Sequence, residues 1–454
     1  MKIDKTWIII VACSFNIAIF SVVQMGTSIA LPTIQKDLGL TNEIQQWVIN
    51  SFTLGSACAF IIFGKVAKII TTKTIYLFGV FFMMLASIGC AFSFNGSTLL
   101  FFRFLQGMSI AMTAPAAISL VRESITDGKY DKYFSWFITI NTFYFIIGPL
   151  LFGYIIEYLS WRLNYILAAS LCIIAMLSIF FIIPSKKMQL IKFDYLGSIF
   201  LFSGTFILIT TIMNIGFNGW NDLNKLLMIV FILITICFIW HSLKCKYSVF
   251  PLSLLKNLNV ITCSIIGFTL QGCLMVVVFI GLLLLEYFKL SPVQVGYFIM
   301  FSTIFGMIST PIFGKFTHIG NRKRMIMIEM SLIIAAFIGL GLSAMFESII
   351  GIFIFTAIFK FFTGPLLSAL PSQISSSVDA DIMQEVNSVV FHFRYLGASI
   401  CIAIMGAIAY GDSASTEDSM TNTEFSHVMI FMSLLVFVSI LLIKGLTKKL
   451  SQKI

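Results

Sequence analysis

Fourteen apolar runs, most about twenty residues long, follow one another along this chain with only short polar breaks between them. Nothing else in the sequence constrains the fold as strongly. Twenty residues of α-helix span about 30 Å, the thickness of a hydrocarbon core. Inside that layer every backbone N–H and C=O needs a partner, and a helix supplies one residue by residue. Strands of a membrane barrel would alternate polar and apolar side chains, and these runs do not. Only 11% of the 454 residues are charged, against about a quarter in a water-soluble domain. The expectation is an all-α polytopic membrane protein.

The runs lie near residues 7–30, 43–64, 74–94, 98–120, 133–155, 162–183, 195–215, 225–243, 260–285, 294–314, 325–345, 349–371, 386–411 and 426–444. An even number of crossings returns both termini to one side. With that count, twenty-two of the 29 Lys and Arg fall on the side of the termini and four on the other. Arg103, Lys360 and Arg394 are left inside runs. Basic residues stay in short cytoplasmic loops, so both termini are expected in the cytoplasm of a multi-pass cell-membrane protein. A miscounted run would invert half of this sorting. The loop near 380 departs from it, carrying Asp379, Asp381 and Glu385 without a base. The net charge of +10 is thus a topology signal and not a nucleic-acid-binding face.

The nine cysteines lie mostly within runs and form no C-x-x-C spacing, so they read as small apolar residues, with no disulfide or metal site expected. The apolar run after MKIDKTW is too long for a cleaved signal and reads as the first span. Little chain remains for soluble domains; the longest stretch outside the runs covers residues 412–425. No G-x-x-x-x-G-K-[ST] phosphate cradle occurs, so any uphill movement has to be driven by an ion gradient. No cluster of His, Cys or carboxylates has catalytic or metal-ligand spacing, and neither enzymatic activity nor a cofactor is expected.

Two segments repeat. IIFGKVAK (61–68) closes the second run and PIFGKFTH (311–318) closes the tenth, each followed by basic residues. A parallel duplication of six spans with two more between the copies places them equivalently, a plan known among transporters. The division is then 1–184, an inserted pair at 185–256, and 257–454. The alternative is that Gly-Lys merely ends and anchors each helix at the interface.

Further motifs carry a resemblance. Ala30-Leu31-Pro32 closes the first run, Trp47-Val48 opens the second, and LLFFRFLQG (99–107) sets a Gly four residues after Arg103. GPLLFG (148–153) lies in the fifth run, Ser160-Trp161-Arg162 opens the sixth and FDYLG (193–197) opens the seventh. Together they make the chain similar to the fourteen-helix drug:H⁺ antiporter branch of the major facilitator superfamily. That resemblance implies a major facilitator fold of fourteen helices in a 6+2+6 arrangement. It also implies alternating access and ion-driven export of small amphiphilic compounds, of the multidrug efflux and antibiotic resistance type. H⁺ would be the coupling ion, or else Na⁺, with membrane lipids as surroundings and a monomer as the working unit. Arg103 would link substrate and proton sites. Gly107, Gly148, Pro149 and Gly153 would shape gate and kink, and Gly64, Lys65, Lys68, Gly314 and Lys315 would form the cytoplasmic loop motif.

The chain also departs from that pattern. Lys68 and His318 stand where the loop motif has an Asp, and Phe152 stands where the fifth-span motif has a Gly. Relatives carry an Asp in the first span about nine residues before the Pro; here that position is Val23, with Gln24 beside it. No acid falls at mid-span: Glu286 and Glu157 lie near outer ends, Glu329 a turn or two into the eleventh run, and Glu385 at the start of the thirteenth. Bases do fall there, with Lys360 near the centre of the twelfth run and His392 and Arg394 in the thirteenth. Intramembrane charges are costly and mark function unless they snorkel or pair; Lys360 could do either, with Glu385 as the pair. A cavity lined by bases would suit an anionic cargo, so export of a lipid, fatty acid or other organic anion is the alternative reading. Gln24, Asn50, Asn141 and Gln271 bridge helices or line a wet path. Phe143, Tyr144 and Phe391 are candidates for an apolar pocket.

Overall fold

A computed structural model of the chain describes residues 5–124, 130–183, 192–316, 322–375, 383–411 and 420–451. Asp379, Asp381 and His318 lie outside the described residues, as do the side chains of Lys68 and Lys315 and the surroundings of Gly314. Among the described residues there is no strand, and fourteen segments are long and apolar enough to cross a membrane.

The first crossing is not one regular helix. α1 (Lys5–Ser21) passes through a π-helical turn, Val22–Gly26, into α2 (Thr27–Leu38). The sequence places the end of this span near Pro32, but the helix continues for six residues beyond it. Pro32 removes one ladder bond without ending the helix. The chain turns only at Gly39, whose φ of 61° is the left-handed conformation that glycine adopts freely.

The remaining helices are α3 (Asn42–Ile69), α4 (Thr72–Ala91), α5 (Gly96–Ser124), α6 (Tyr130–Tyr158) and α7 (Trp161–Ile182). α8 (Tyr195–Asn218) and α9 (Asp222–Lys244) follow, then α10 (Leu258–Leu282), which ends in a second π-helical turn, Leu283–Tyr287. α11 (Pro292–Phe316), α12 (Arg322–Met345), α13 (Ile349–Ser375), α14 (Met383–Tyr410) and α15 (Asn422–Ser451) complete the chain. Polar caps start several of them. Thr41, Thr71, Ser160 and Asn221 each accept a backbone N–H from the first turn of α3, α4, α7 and α9.

Helices α3, α4, α5 and α7 pack in one group, with α1 against α5, α6 and α7. A second group joins α10 to α14, and α12 to α13 and α15. Two seams connect the groups: α3 against α14, and α6 against α11. The α8–α9 pair attaches at the first seam through α8, which touches both α14 and α3, while α9 packs on α8 and is otherwise exposed. The end of α3 and the start of α14 share one face of the molecule, termed here the basic face because Lys65, Lys192 and Lys246 sit on it.

With no hydrophobic force to hold helices together in lipid, close backbone approach becomes the main source of packing. Gly107 of α5 shows it. A Cβ there would overlap the Phe52 carbonyl of α3, and Ser56 Oγ donates to the Gly107 carbonyl at 3.1 Å. α5 runs unbroken through Gly107, and this residue is a packing point against α3.

Candidate functional site

The π turn in the first crossing prepares the site. Such a turn disturbs the regular ladder and leaves main-chain acceptors open to other groups. Here the Val23 carbonyl accepts from Thr27 Oγ1 at 2.6 Å and from Arg103 Nη1 at 2.9 Å. Arg103 is fully buried and spends its fork of donors on neutral oxygens. Nε reaches the Val48 carbonyl at 3.0 Å, Nη1 also reaches Gln106 Oε1 at 3.1 Å, and Nη2 lies 3.5 Å from Gln24 Oε1. The guanidinium sits 5.0 Å from the Phe52 ring centre, where the π face adds attraction. Gln106 Nε2 passes the network on to Ser87 Oγ at 2.9 Å, and Thr27 Oγ1 meets the Tyr165 hydroxyl at 2.8 Å. The first crossing offers the arginine a carbonyl, that of Val23, and an amide, that of Gln24. The arginine keeps its charge uncompensated by any carboxylate among the described ion pairs.

Gln24 also crosses to the second group, its Nε2 lying 3.9 Å from Met275 Sδ on α10. Asn50 joins three helices: its Oδ1 accepts from Ser399 of α14 and from Thr53, and its Nδ2 lies 3.5 Å from Met213 Sδ of α8. Along the same seam His392 Nδ1 is 2.7 Å from the Ala57 carbonyl, and Phe391 stacks on Phe60 at 5.1 Å. Arg394 is held inside the second group. Its Nη2 donates to Gln271 Oε1 at 2.8 Å, and its charge lies 4.9 Å from the Phe391 ring.

The Gly-Lys motif closes this seam at the basic face. A Cβ on Gly64 would overlap the Ser388 side chain of α14, so glycine at that position lets α3 and α14 approach closely there. One residue on, Lys65 Nζ binds Glu385 Oε1 at 2.9 Å. Glu385 thus pairs with Lys65, not with Lys360. The second seam closes toward the opposite face. A Cβ on Gly153 would stand 2.6 Å from the Pro292 carbonyl, and one on Gly296 would stand 2.7 Å from the Pro149 carbonyl. Gly148 faces Ser21 Oγ of α1 in the same way, at 2.6 Å.

Other sequence candidates stay apart. Glu286, in the second π turn, accepts from Gln45 at 3.4 Å and from Tyr410 at 3.2 Å, far along the chain from Arg103. Lys360 is half-buried, with its Nζ 5.9 Å from the Phe359 ring centre and no ion pair among the described residues. Asn141 is buried with its side-chain oxygen unbonded among the described residues, whereas Phe143 is 57% exposed and meets Tyr144 edge-on. Gln106, Thr27, Tyr165, Ser87 and Ser399 were not singled out from the sequence. Gln106 was accessible in principle, three residues after Arg103 on one helix face.

Known proteins are similar to this chain in sequence and in fold. The model of the Major Facilitator Superfamily matches residues 13–402. The riboflavin transporter RibZ of Clostridioides difficile (strain 630) is 24% identical over 83% of this chain and 82% of its own length. Multidrug resistance protein 3 of Bacillus subtilis (strain 168) is 25% identical over 84% of this chain and 75% of its own. The multidrug transporter protein MdtP of the same organism is 25% identical over 86% and 73%. Among solved structures, a peptide transporter POT bound to sulfate superposes with a TM-score of 0.67 at 16% identity, covering 99% of both chains. The nucleoside transporter NupG, in a mutant form, gives 0.67 at 12% identity over 97% of this chain and 99% of its own. These two carry the fold alone. With a family match over most of its length and a like arrangement of helices, this multi-pass chain belongs to the Major Facilitator Superfamily of transporters.

Proposed function

We propose that the protein is a secondary transporter that exports amphiphilic organic compounds, driven by the H⁺ gradient across the cell membrane. Its two bundles, residues 1–184 and 257–454, rock against each other, with the inserted pair at 185–256 outside them and both termini in the cytoplasm. One observation carries the reading: the two seams between the bundles close at opposite faces. Lys65–Glu385 and Gly64 hold α3 to α14 at the basic face, while Gly153 and Gly296 hold α6 to α11 toward the other. Opening either contact while the other holds gives alternating access. The names of the multidrug relatives support the cargo class. Because the first span carries no acid at mid-span, His392 and Lys360 are the intramembrane groups we assign to proton exchange. Inverted vesicles with an imposed pH gradient test this; movement of a fluorescent amphiphile that ignores every ion gradient overturns it.

A second reading keeps the mechanism and changes the cargo to a lipid, fatty acid or other organic anion. Arg103, Lys360 and Arg394 support it, being three bases within spans that form no ion pair among the described residues. Competition between anionic and cationic amphiphiles for the same vesicles separates the two.

A further inference from the structure

Two cavities adjoin where the α8–α9 pair meets the α3–α14 seam. The first, of about 340 Å³, opens on the basic face and is lined by Lys65, Lys192 and Lys246 with the hydroxyls of Ser242, Ser248 and Ser253. No carboxylate lines it among the described residues. The second, of about 220 Å³, is mostly apolar, with Phe200, Gly204, Leu208 and Phe231 on the inserted pair and Ile61 and Leu396 on the seam; its polar lining among the described residues is Thr205, Thr235 and His392.

Three separate segments step from one cavity into the other in the same direction. On α3, Ile61 lines the apolar cavity and Lys65, one turn later, lines the basic one. On α9, Phe238 and Ser242 repeat the step, and after the helix Phe250 and Pro251 do so as neighbours. The apolar cavity therefore lies about one helical turn deeper than the basic one, at the level of acyl chains rather than headgroups.

We propose that this pair of cavities is a binding site for an anionic phospholipid. Its phosphate is held by Lys192 and Lys246 at the basic mouth, and an acyl chain fills the apolar slot between α8, α9 and α14. Charge chooses the headgroup, since juxtamembrane lysines attract anionic lipid. Two features keep the mouth in shape. Ser242 Oγ and Ser248 Oγ lie 2.6 Å apart and 2.9 and 3.0 Å from the Phe250 carbonyl; one hydroxyl donates to the other and the second donates to the carbonyl, which fixes the loop after α9. Asp194, at the cap of α8, holds the same loop through the Val249 N–H at 3.0 Å and α9 through His241 Nε2 at 2.7 Å. The site shares Lys65 with the seam contact to Glu385, so a bound phosphate competes for the lysine that closes the basic face. The lipid is then a ligand of the gate as well as of the inserted pair.

The test uses the delipidated full chain in detergent, with thermal unfolding and native mass spectrometry as readouts. Phosphatidylglycerol should raise the unfolding midpoint and remain bound as a discrete adduct. Phosphatidylcholine and inorganic phosphate should do neither. The double variant Lys192→Gln/Lys246→Gln should lose more than half of the phosphatidylglycerol shift while its lipid-free midpoint stays at that of the parent. Gly204→Leu, which fills the apolar slot, should lose the shift likewise; the cavity beside Gly204 leaves room for a side chain, with Ile234 nearest at 3.4 Å. Equal protection by phosphatidylcholine would reduce the site to ordinary lipid contact, and full protection by inorganic phosphate would make it a free-anion site. Either result, or an undiminished shift in the lysine double variant, overturns the proposal.

Discussion

Arg103 of α5 reaches across to the Val23 carbonyl of the first crossing, 2.9 Å from its Nη1. The contact joins a buried charge to a backbone oxygen that an uninterrupted α-helix would have used itself. The arginine binds four oxygens on three segments, and lysine cannot reproduce that planar fork. Arg103→Lys is expected to cut transport at least about tenfold, equivalent to some 1.4 kcal/mol. Arg103→Ala is expected to lower the melting midpoint in detergent as well, because each orphaned buried acceptor costs about 1–3 kcal/mol. Parallel transport and melting assays check both; a fully active Arg103→Ala would remove the residue from the mechanism.

The seam at the basic face should respond to charge. Lys65 and Glu385 are largely shielded, with 15% and 13% side-chain exposure, so their pair is worth more than a solvated one. Glu385→Gln should open that face more often. Cysteine-accessibility labelling of the facing ends of α3 and α14 would show faster modification than in the parent, by a factor of about five for each 1 kcal/mol lost.

Glycine at the helix contacts is a steric requirement of graded severity. Gly107→Ala drives a methyl into the Phe52 carbonyl, a backbone atom that cannot turn aside, and should cost about 1–3 kcal/mol. Gly64→Ala meets a side chain instead, that of Ser388, so the damage should be smaller and partly relieved by Ser388→Gly. Gly281→Ala meets nothing within 4 Å and should be neutral. Melting midpoints of the four proteins rank these effects.

Lys360 discriminates between the two cargo readings. Lys360→Ala should weaken movement of anionic amphiphiles far more than that of cationic dyes if the cargo is anionic. Equal losses for both would return the residue to a structural role.

The cap of α8 links stability to pH. Burial pushes the Asp194 carboxyl up, but hydrogen bonds from His241, the Gly197 N–H and the Val249 N–H outweigh it and hold the group below its usual range. A carboxyl depressed in the folded state stabilises at neutral pH and stops doing so as pH falls through the ordinary carboxylate range, about 4, and below. Asp194→Asn should remove about 1–3 kcal/mol at pH 7 and flatten the acid limb of the melting profile.

Much of this arrangement was written locally. Apolar runs announce crossings because each must satisfy its own backbone, so fourteen were countable before any contact was known. Gly64-Lys65 announced the close of an apolar run, although α3 continues to Ile69, and Arg103 had to be buried and partnered because a charge at that depth is otherwise too costly. Its partners were another matter. His392 and Ala57 stand 335 residues apart, and Gln24 and Met275 stand 251 apart; no periodicity links such positions. The π turn was equally hidden, since VVQMG has the composition of its flanks. Lys65 pairing with Glu385 left Lys360 without the partner imagined for it, a choice that only the seam decides.

That turn at Val22–Gly26 sets a register as well as an acceptor. A π turn houses one residue more than the α-helix around it, so deleting a single residue from VVQMG would let the rod straighten. The residues on either side would largely keep their faces, because the residue removed is the one the turn absorbs, and the backbone oxygen now offered to Arg103 would be drawn back into its own ladder. The superfluous residue is thus what frees a main-chain oxygen of the opening helix for the arginine of α5, and shortening the chain there should loosen that grip with every side chain around it unchanged.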